Sequence, residues 1–165
     1  MRLVATEYLS LDGVFEEPGH WSGPWFNDEA GAFKWAELQN SDAQLLGRKT
    51  YEGFASAWPT MEGTGEFGEK MNTMPKYVVS STLDKAEWTG SKLIKGNVME
   101  EVRKLKLQPG RDLLLAGSGQ LFNALILGRG MRLFEDGAAR RPLDLKETKR
   151  FKSGIVILEL EPAPA

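Results

Sequence analysis

Apolar residues recur at every second position near the start of the chain. Leu3, Ala5, Leu9 and Leu11 alternate with Val4, Thr6, Tyr8 and Ser10, which predicts a strand, and Asp12-Gly13 then predicts a turn. Glu7 falls in this series where a hydrophobe is expected, and a carboxylate on a buried face needs a partner or a task. Residues 16–25, rich in Gly, Pro and Trp, predict an irregular loop held down by its rings. Asn27 or Asp28 can cap a helix running to about Gln39, with Asp28 and Glu29 in its electropositive first turn. Ala43-Gln44-Leu45-Leu46 reads as a short buried strand ended by Gly47. A helix start over residues 48–54 and a Gly- and Glu-rich loop up to Met74 follow.

In the second half, Tyr77-Val78-Val79-Ser80 and Lys92-Leu93-Ile94 predict strands. Asn97 and Glu100 form a capping box for a helix whose Val98, Val102 and Leu105 share one face. After Pro109-Gly110, the run Asp112-Leu113-Leu114-Leu115-Ala116 fits a central strand. Gly117-Ser118-Gly119 then leads into a helix from about Gln120 to Leu125. Leu143 and Leu145 begin one alternating run, Val156, Leu158 and Leu160 another, joined near Ser153-Gly154 as an antiparallel pair. Strand and helix alternate through most of the chain. This predicts an α/β fold, a three-layer sandwich around a mostly parallel sheet with an antiparallel C-terminal edge.

Composition narrows the picture. The 165 residues suit one domain over 1–165, and 41% hydrophobic with 27% charged residues is the balance of a soluble globular chain. A formal charge of −2, with lysines and arginines scattered among the acids, offers no basic face for nucleic acid. The absence of cysteine removes disulfides, thiolate nucleophiles and cysteine-held metals, and fits a reducing compartment, so a cytoplasmic location is expected. No stretch approaches the roughly 18 apolar residues of a membrane span.

Three times a buried strand hands over to small, hydroxylated or basic residues: Gly47-Arg48-Lys49-Thr50, Ser80-Ser81-Thr82 and Gly117-Ser118-Gly119. In open α/β sheets ligands sit beyond the carboxyl ends of the strands, where helix N-termini offer free N–H groups to phosphates. Gly117 and Gly119 let the backbone approach a pyrophosphate closely, and Arg48 can grip a phosphate with two parallel hydrogen bonds. Each segment alone also reads blandly: a tight turn, a solvated helix start, serines that form a strand-end turn. Together they surround one point with donors and bring no acid near it, which favours the extra phosphate of NADPH over the bare ribose of NADH.

With these residues in view the chain resembles the bacterial dihydrofolate-reductase-like proteins, related to the reductase domain of riboflavin biosynthesis. The resemblance is carried by Ser10-Leu11-Asp12-Gly13-Val14, Leu46-Gly47-Arg48-Lys49-Thr50-Tyr51-Glu52, Val78-Val79-Ser80-Ser81-Thr82-Leu83 and Ala116-Gly117-Ser118-Gly119-Gln120-Leu121, in this order and spacing. It implies NADPH laid across the carboxyl edge of the sheet. Arg48, Lys49, Thr50, Ser80 and Ser81 would hold the adenosine phosphate end, with Thr82 beside them. Residues Gly117, Ser118, Gly119, Gln120 and Leu121 would cradle the pyrophosphate, and Leu11, Asp12 and Gly13 would border the nicotinamide. It also implies a homodimer.

The resemblance departs from the family twice. Dihydrofolate reductases carry an acid on the helix before the Gly-Arg-x-Thr segment, and the matching position falls near Gly31, so dihydrofolate is not the expected substrate. In relatives a strand separates the helix ending near Ile126 from the turn resembling residues 127–134, whereas here the helix runs straight into that turn. Either the chain dispenses with the strand or residues of the molecule are missing from this sequence; the second is expected, because the first would expose unpaired backbone.

The leading expectation is an NADPH-dependent reductase of a small heterocyclic or carbonyl compound. Glu7, Asp28 and Glu29 are the candidate proton donors, and Trp21, Trp25, Phe26 and Phe54 the candidate walls of the substrate slot. A non-catalytic binder that keeps the nucleotide pocket, and a structural dimer module with no nucleotide affinity, are the competing readings. Glu7 in a structural role would pair with a base, and Asp28 and Glu29 would only favour a helix start. His20 is expected at the surface.

Overall fold

The computed structural model describes residues 1–11, 13–125, 143–150 and 156–163. The chain divides into two compact units, Met1–Gly130 and Met131–Ala165.

The first unit holds a five-stranded, wholly parallel sheet in the order β1-β5-β2-β3-β4, built from β1 (Arg2–Thr6), β2 (Ser41–Gly47), β3 (Lys76–Val79), β4 (Ser91–Ile94) and β5 (Asp112–Ala116). Five helices accompany them: α1 (Asp28–Gln39), α2 (Arg48–Ala57), α3 (Gly65–Thr73), α4 (Val98–Leu107) and α5 (Gly119–Leu125). The central strands are apolar on both faces, as a parallel sheet covered by helices demands. Leu46, Val78 and Leu114 pack with Leu38, Tyr51, Met71 and Trp88 in one cluster; Leu45, Leu113 and Leu115 pack with Val102, Leu105 and Leu121 in another. These clusters fix the sheet, and the sheet brings its carboxyl edge together.

Most elements fall where the patterning predicts, and the departures have local causes. β1 stops at Thr6, opposite Ala116 where its partner β5 ends, and the chain turns further on: Val14 N–H donates to Ser10 Oγ and Gly13 N–H to Ser10 O, with Gly13 at φ 89°. The loop over residues 16–25 contains two single 3-10 turns, Pro18–His20 and Gly23–Trp25, each with proline early in the turn. Asn27 is the cap of α1, its Oδ1 accepting from Ala30 N–H at 2.9 Å. Asn97 caps α4 in the same way, but Glu100 turns away to Lys104, so the reciprocal half of the expected box is not made.

The segment read as a loop up to Met74 contains α3. Phe67 and Met71 are one helical turn apart and face the core, while Gly68 is buried because a side chain there would collide with Thr64. At the end of α3 the buried Lys76 Nζ donates to the carbonyls of Asn72, Met74 and Thr89 and lies 4.1 Å from the Trp88 ring centroid. Burial pushes its amine down to about 8, against three carbonyls and a ring face that favour the charged form.

In the second unit β6 (Leu143–Arg150) and β7 (Val156–Pro162) pair antiparallel as their own two-stranded sheet, with Leu145 opposite Leu160. The joining residues Ser153-Gly154, and residues 126–142 where a strand is expected to be missing, lie outside the described residues.

Candidate functional site

β5, β2 and β3 are neighbours in register, Leu45 beside Leu115 and Gly47 beside Val79, so their carboxyl ends emerge side by side. The turns that follow are tied together. Gly47 N–H donates to Ser118 Oγ at 2.8 Å and Ser118 N–H to Thr50 Oγ1 at 3.0 Å, while the Ser118 hydroxyl lies 3.2 Å from Thr50 Oγ1 and 3.0 Å from Ala116 O. These bonds hold Gly117 and Ser118 in successive left-handed conformations, φ 54° and 64°. The second is costly for a serine and persists because the neighbours over-determine it. A Cβ at position 117 would sit 2.9 Å from Thr50 Oγ1, so both space and φ require glycine there. Gly119 opens α5, and the Phe15 ring packs against it so closely that a side chain would overlap the ring.

The predicted cofactor residues divide by what their side chains do. Thr50 and Ser118 spend their hydroxyls on each other and shape the turn. Ser80 Oγ accepts from Thr82 N–H at 3.2 Å and Leu83 N–H at 3.0 Å, the strand-end turn role. Leu121 is buried in the core behind the turn. Arg48, Lys49, Ser81, Thr82, Gln120 and Leu11 are exposed. Arg48 is held by Glu52 one turn on, at 3.1 and 3.2 Å. Gly47 caps α2 without a side-chain acceptor, leaving the first amides of that helix directed at the edge. Asp12 lies outside the described residues.

Beside this edge, where β1 ends, a cavity of about 410 Å³ is lined by Thr6, Glu7, Tyr8, Asn27, Glu29, Ala30, Phe33 and Lys34. Glu7 is half-buried there, and its Oε1 is buried with no hydrogen-bond partner. Burial pushes its carboxyl up to about 7; the Gly117 amide and the Lys34 ammonium pull it down, and Glu37 pushes it further up. The amide of Gly117 thus connects the turn after β5 to the acid after β1. A carboxyl raised this far keeps its proton closer to neutrality than an ordinary glutamate does.

The other predicted residues scatter. Glu29 lines the cavity, whereas Asp28 is exposed in the first turn of α1 and does not. Phe26 is exposed and tilted against Tyr8, at 6.5 Å between ring centroids. Phe54 belongs elsewhere: it packs into the core edge-on to Trp58, because α2 turns that face inward. Trp21 Nε1 donates to Glu16 O and pins its own loop, and is not among the cavity's lining residues. The Trp25 side chain lies outside what the structure describes. His20 is exposed, 3.2 Å from Glu17. Tyr8, Phe33, Lys34 and Glu37 were not anticipated. Lys34 Nζ donates to Glu37 Oε2 at 2.9 Å and lies 5.1 Å from the Tyr8 ring centroid.

No helix among the described residues is long and apolar enough to cross a membrane. The family model for the RibD C-terminal domain matches residues 2–128. The uncharacterized protein YyaP of Bacillus subtilis (strain 168) is 30% identical over 138 residues, 72% of this chain and 73% of that protein. Among solved structures, a protein assigned to riboflavin biosynthesis from Shewanella sp. PV-4 is 16% identical with a TM-score of 0.57, over 99% of this chain and 100% of that one, and shares the fold. Dihydrofolate reductase from Enterococcus faecalis, complexed with NADP(H) and RAB-propyl, gives a TM-score of 0.49 at 16% identity, covering 98% of this chain and 94% of that one. By its sequence and its fold, this chain belongs to the RibD C-terminal domain family, a family of reductase-like domains.

Proposed function

We propose that the protein is an NADPH-dependent reductase in which Glu7 protonates the compound being reduced. The observation that carries this reading is the Glu7 carboxyl itself: a half-buried acid raised to about 7, one oxygen without a partner, lining a cavity and coupled through the Gly117 amide to the turn between β5 and α5.

The edge suits a phosphorylated dinucleotide. Glycine is compelled at position 117, which brings backbone amides close to the surface, and the uncapped start of α2 presents further amides. Arg48 and Lys49 are exposed cations at this helix start; contrary to the expectation that no acid lies near, Glu52 holds Arg48, which would exchange that exposed pair for a phosphate. Arg48 and Lys49 would hold the adenosine phosphate and the amides of Gly119 and Gln120 the pyrophosphate, since the Gly117 and Ser118 amides are engaged by Glu7 and Thr50, and the Phe15 ring would have to move off Gly119. When bound, NADPH supplies the reducing equivalent, chemistry that belongs to the cofactor.

The chain's own residues do the rest. Phe33, Ala30 and Tyr8 give a planar compound apolar surface to lie on. The Glu7 carboxyl gives its proton to a carbonyl oxygen or ring nitrogen and regains one from water as product leaves. Steady-state oxidation of NADPH against a panel of pterins, pyrimidines and quinones tests the reading: turnover with at least one class is expected, while NADPH affinity without turnover would favour a non-catalytic binder. A homodimer is part of the same proposal, checked by the molar mass in solution.

A further inference from the structure

The charges around the cavity are unequally available. Among the described residues lining it, Lys34 is the one lysine or arginine, and its ammonium is already engaged, 2.9 Å from Glu37 Oε2 and over the face of Tyr8. The pair is largely out of water, with side-chain exposures of 18% and 11%. An anion entering the cavity meets the carboxyls of Glu7 and Glu29, and can recruit Lys34 only by displacing Glu37 from a buried ion pair, which would strand that carboxylate. An uncharged planar molecule meets no such obstacle. It can lie on Phe33 and Ala30 beside the half-buried Glu7 carboxyl. A cation gains Glu29, exposed on the lining.

We propose that the cavity takes uncharged or cationic planar compounds and turns away those carrying carboxylate or phosphate, with Glu37 as the specificity-determining residue because it neutralises Lys34. This rests on the cavity being the substrate site of the proposed reductase. Glu37 exerts this control from behind the lining, through Lys34, without touching the compound.

The test is direct binding at pH 7 in the absence of NADPH, so that it does not depend on turnover. Two matched pairs serve as probes: pterin with pterin-6-carboxylate, and menadione with naphthoquinone-2-sulfonate. Wild type is expected to bind the uncharged member of a pair at least about tenfold more tightly. Glu37→Gln frees Lys34 and should narrow that ratio by about tenfold, with the uncharged member little affected; adding Lys34→Met should restore the discrimination. Glu29→Lys, an exposed change that leaves the buried pair intact, should narrow the ratio as well and covers the case in which Glu37→Gln does not fold. Equal or tighter binding of the anionic members by wild type, a ratio unmoved by these changes, or binding of neither member of either pair would each overturn the proposal. Loss of NADPH oxidation with the discrimination intact would count against the reductase reading alone.

Discussion

Replacing Glu7 by glutamine keeps the shape of the side chain and removes its ability to ionise or to act as an acid near neutral pH. The carboxyl is raised from 4.5 to about 7, chiefly by burial. At about 1.4 kcal/mol per tenfold change this would amount to about 3 kcal/mol for a group wholly out of water. Glu7 is only half-buried, and solvent screening brings the expected effect to about 1 to 2 kcal/mol. The sign follows from linkage. An acid whose folded-state value is raised binds its proton more tightly in the native protein, so its contribution is fully present below about 4.5 and is lost as pH rises through about 7. Wild type and Glu7→Gln should therefore have nearly equal stability in acid, with the variant the more stable by about 1 to 2 kcal/mol above pH 8. Urea unfolding at intervals from pH 5 to 9 reads the difference. In parallel, kcat/KM should fall by about 100-fold or more, and the wild-type profile should lose activity as pH rises through about 7. A stability difference that does not vary with pH, or a variant with full activity, would refute the reasoning.

Three further changes probe the frame around the acid. Gly117→Ala forces a side chain onto Thr50 in a left-handed conformation and should cost about 2 kcal/mol or more, read by thermal unfolding, with loss of NADPH binding. Lys76→Met leaves three carbonyls without their donor and should destabilise by about 3 kcal/mol in urea, without altering the relative affinities for NADPH and NADH. Arg48→Ala should weaken NADPH about tenfold or more while leaving NADH nearly unchanged, measured by fluorescence titration. Equal losses for the two nucleotides would place the adenosine phosphate elsewhere.

The apolar patterning made the parallel sheet legible, because strands buried on both faces must be written as short apolar runs such as Leu113 to Leu115. It also exposed Glu7, an acid at an apolar position of the first alternating run. What it concealed depends on contacts between distant segments. Lys34 and Glu37, three apart on a helix, carry no signal in the sequence, and only the fold lays them beside the end of β1. Nothing in the sequence marks Lys76, and only the ends of α3 and the Trp88 segment reveal a cation enclosed by carbonyls. The helix α3 itself was hidden by glycines at 63, 65 and 68, which lower helix propensity, although Gly68 is there because packing on Thr64 leaves no room for a side chain. Phe54 illustrates the converse error: an aromatic near a candidate site was given to the ligand, and the core had the stronger claim on it.

The central claim is that the helix starts that follow β2 and β5 face one phosphorylated dinucleotide next to the Glu7 cavity. Titrating NADPH while recording the amide NMR spectrum tests it most directly. Saturable shifts are predicted at Gly47, Arg48, Lys49, Ser118 and Gly119, with smaller ones at Glu7 and Tyr8. A spectrum that does not move, or that moves only at residues remote from this edge, would contradict the account.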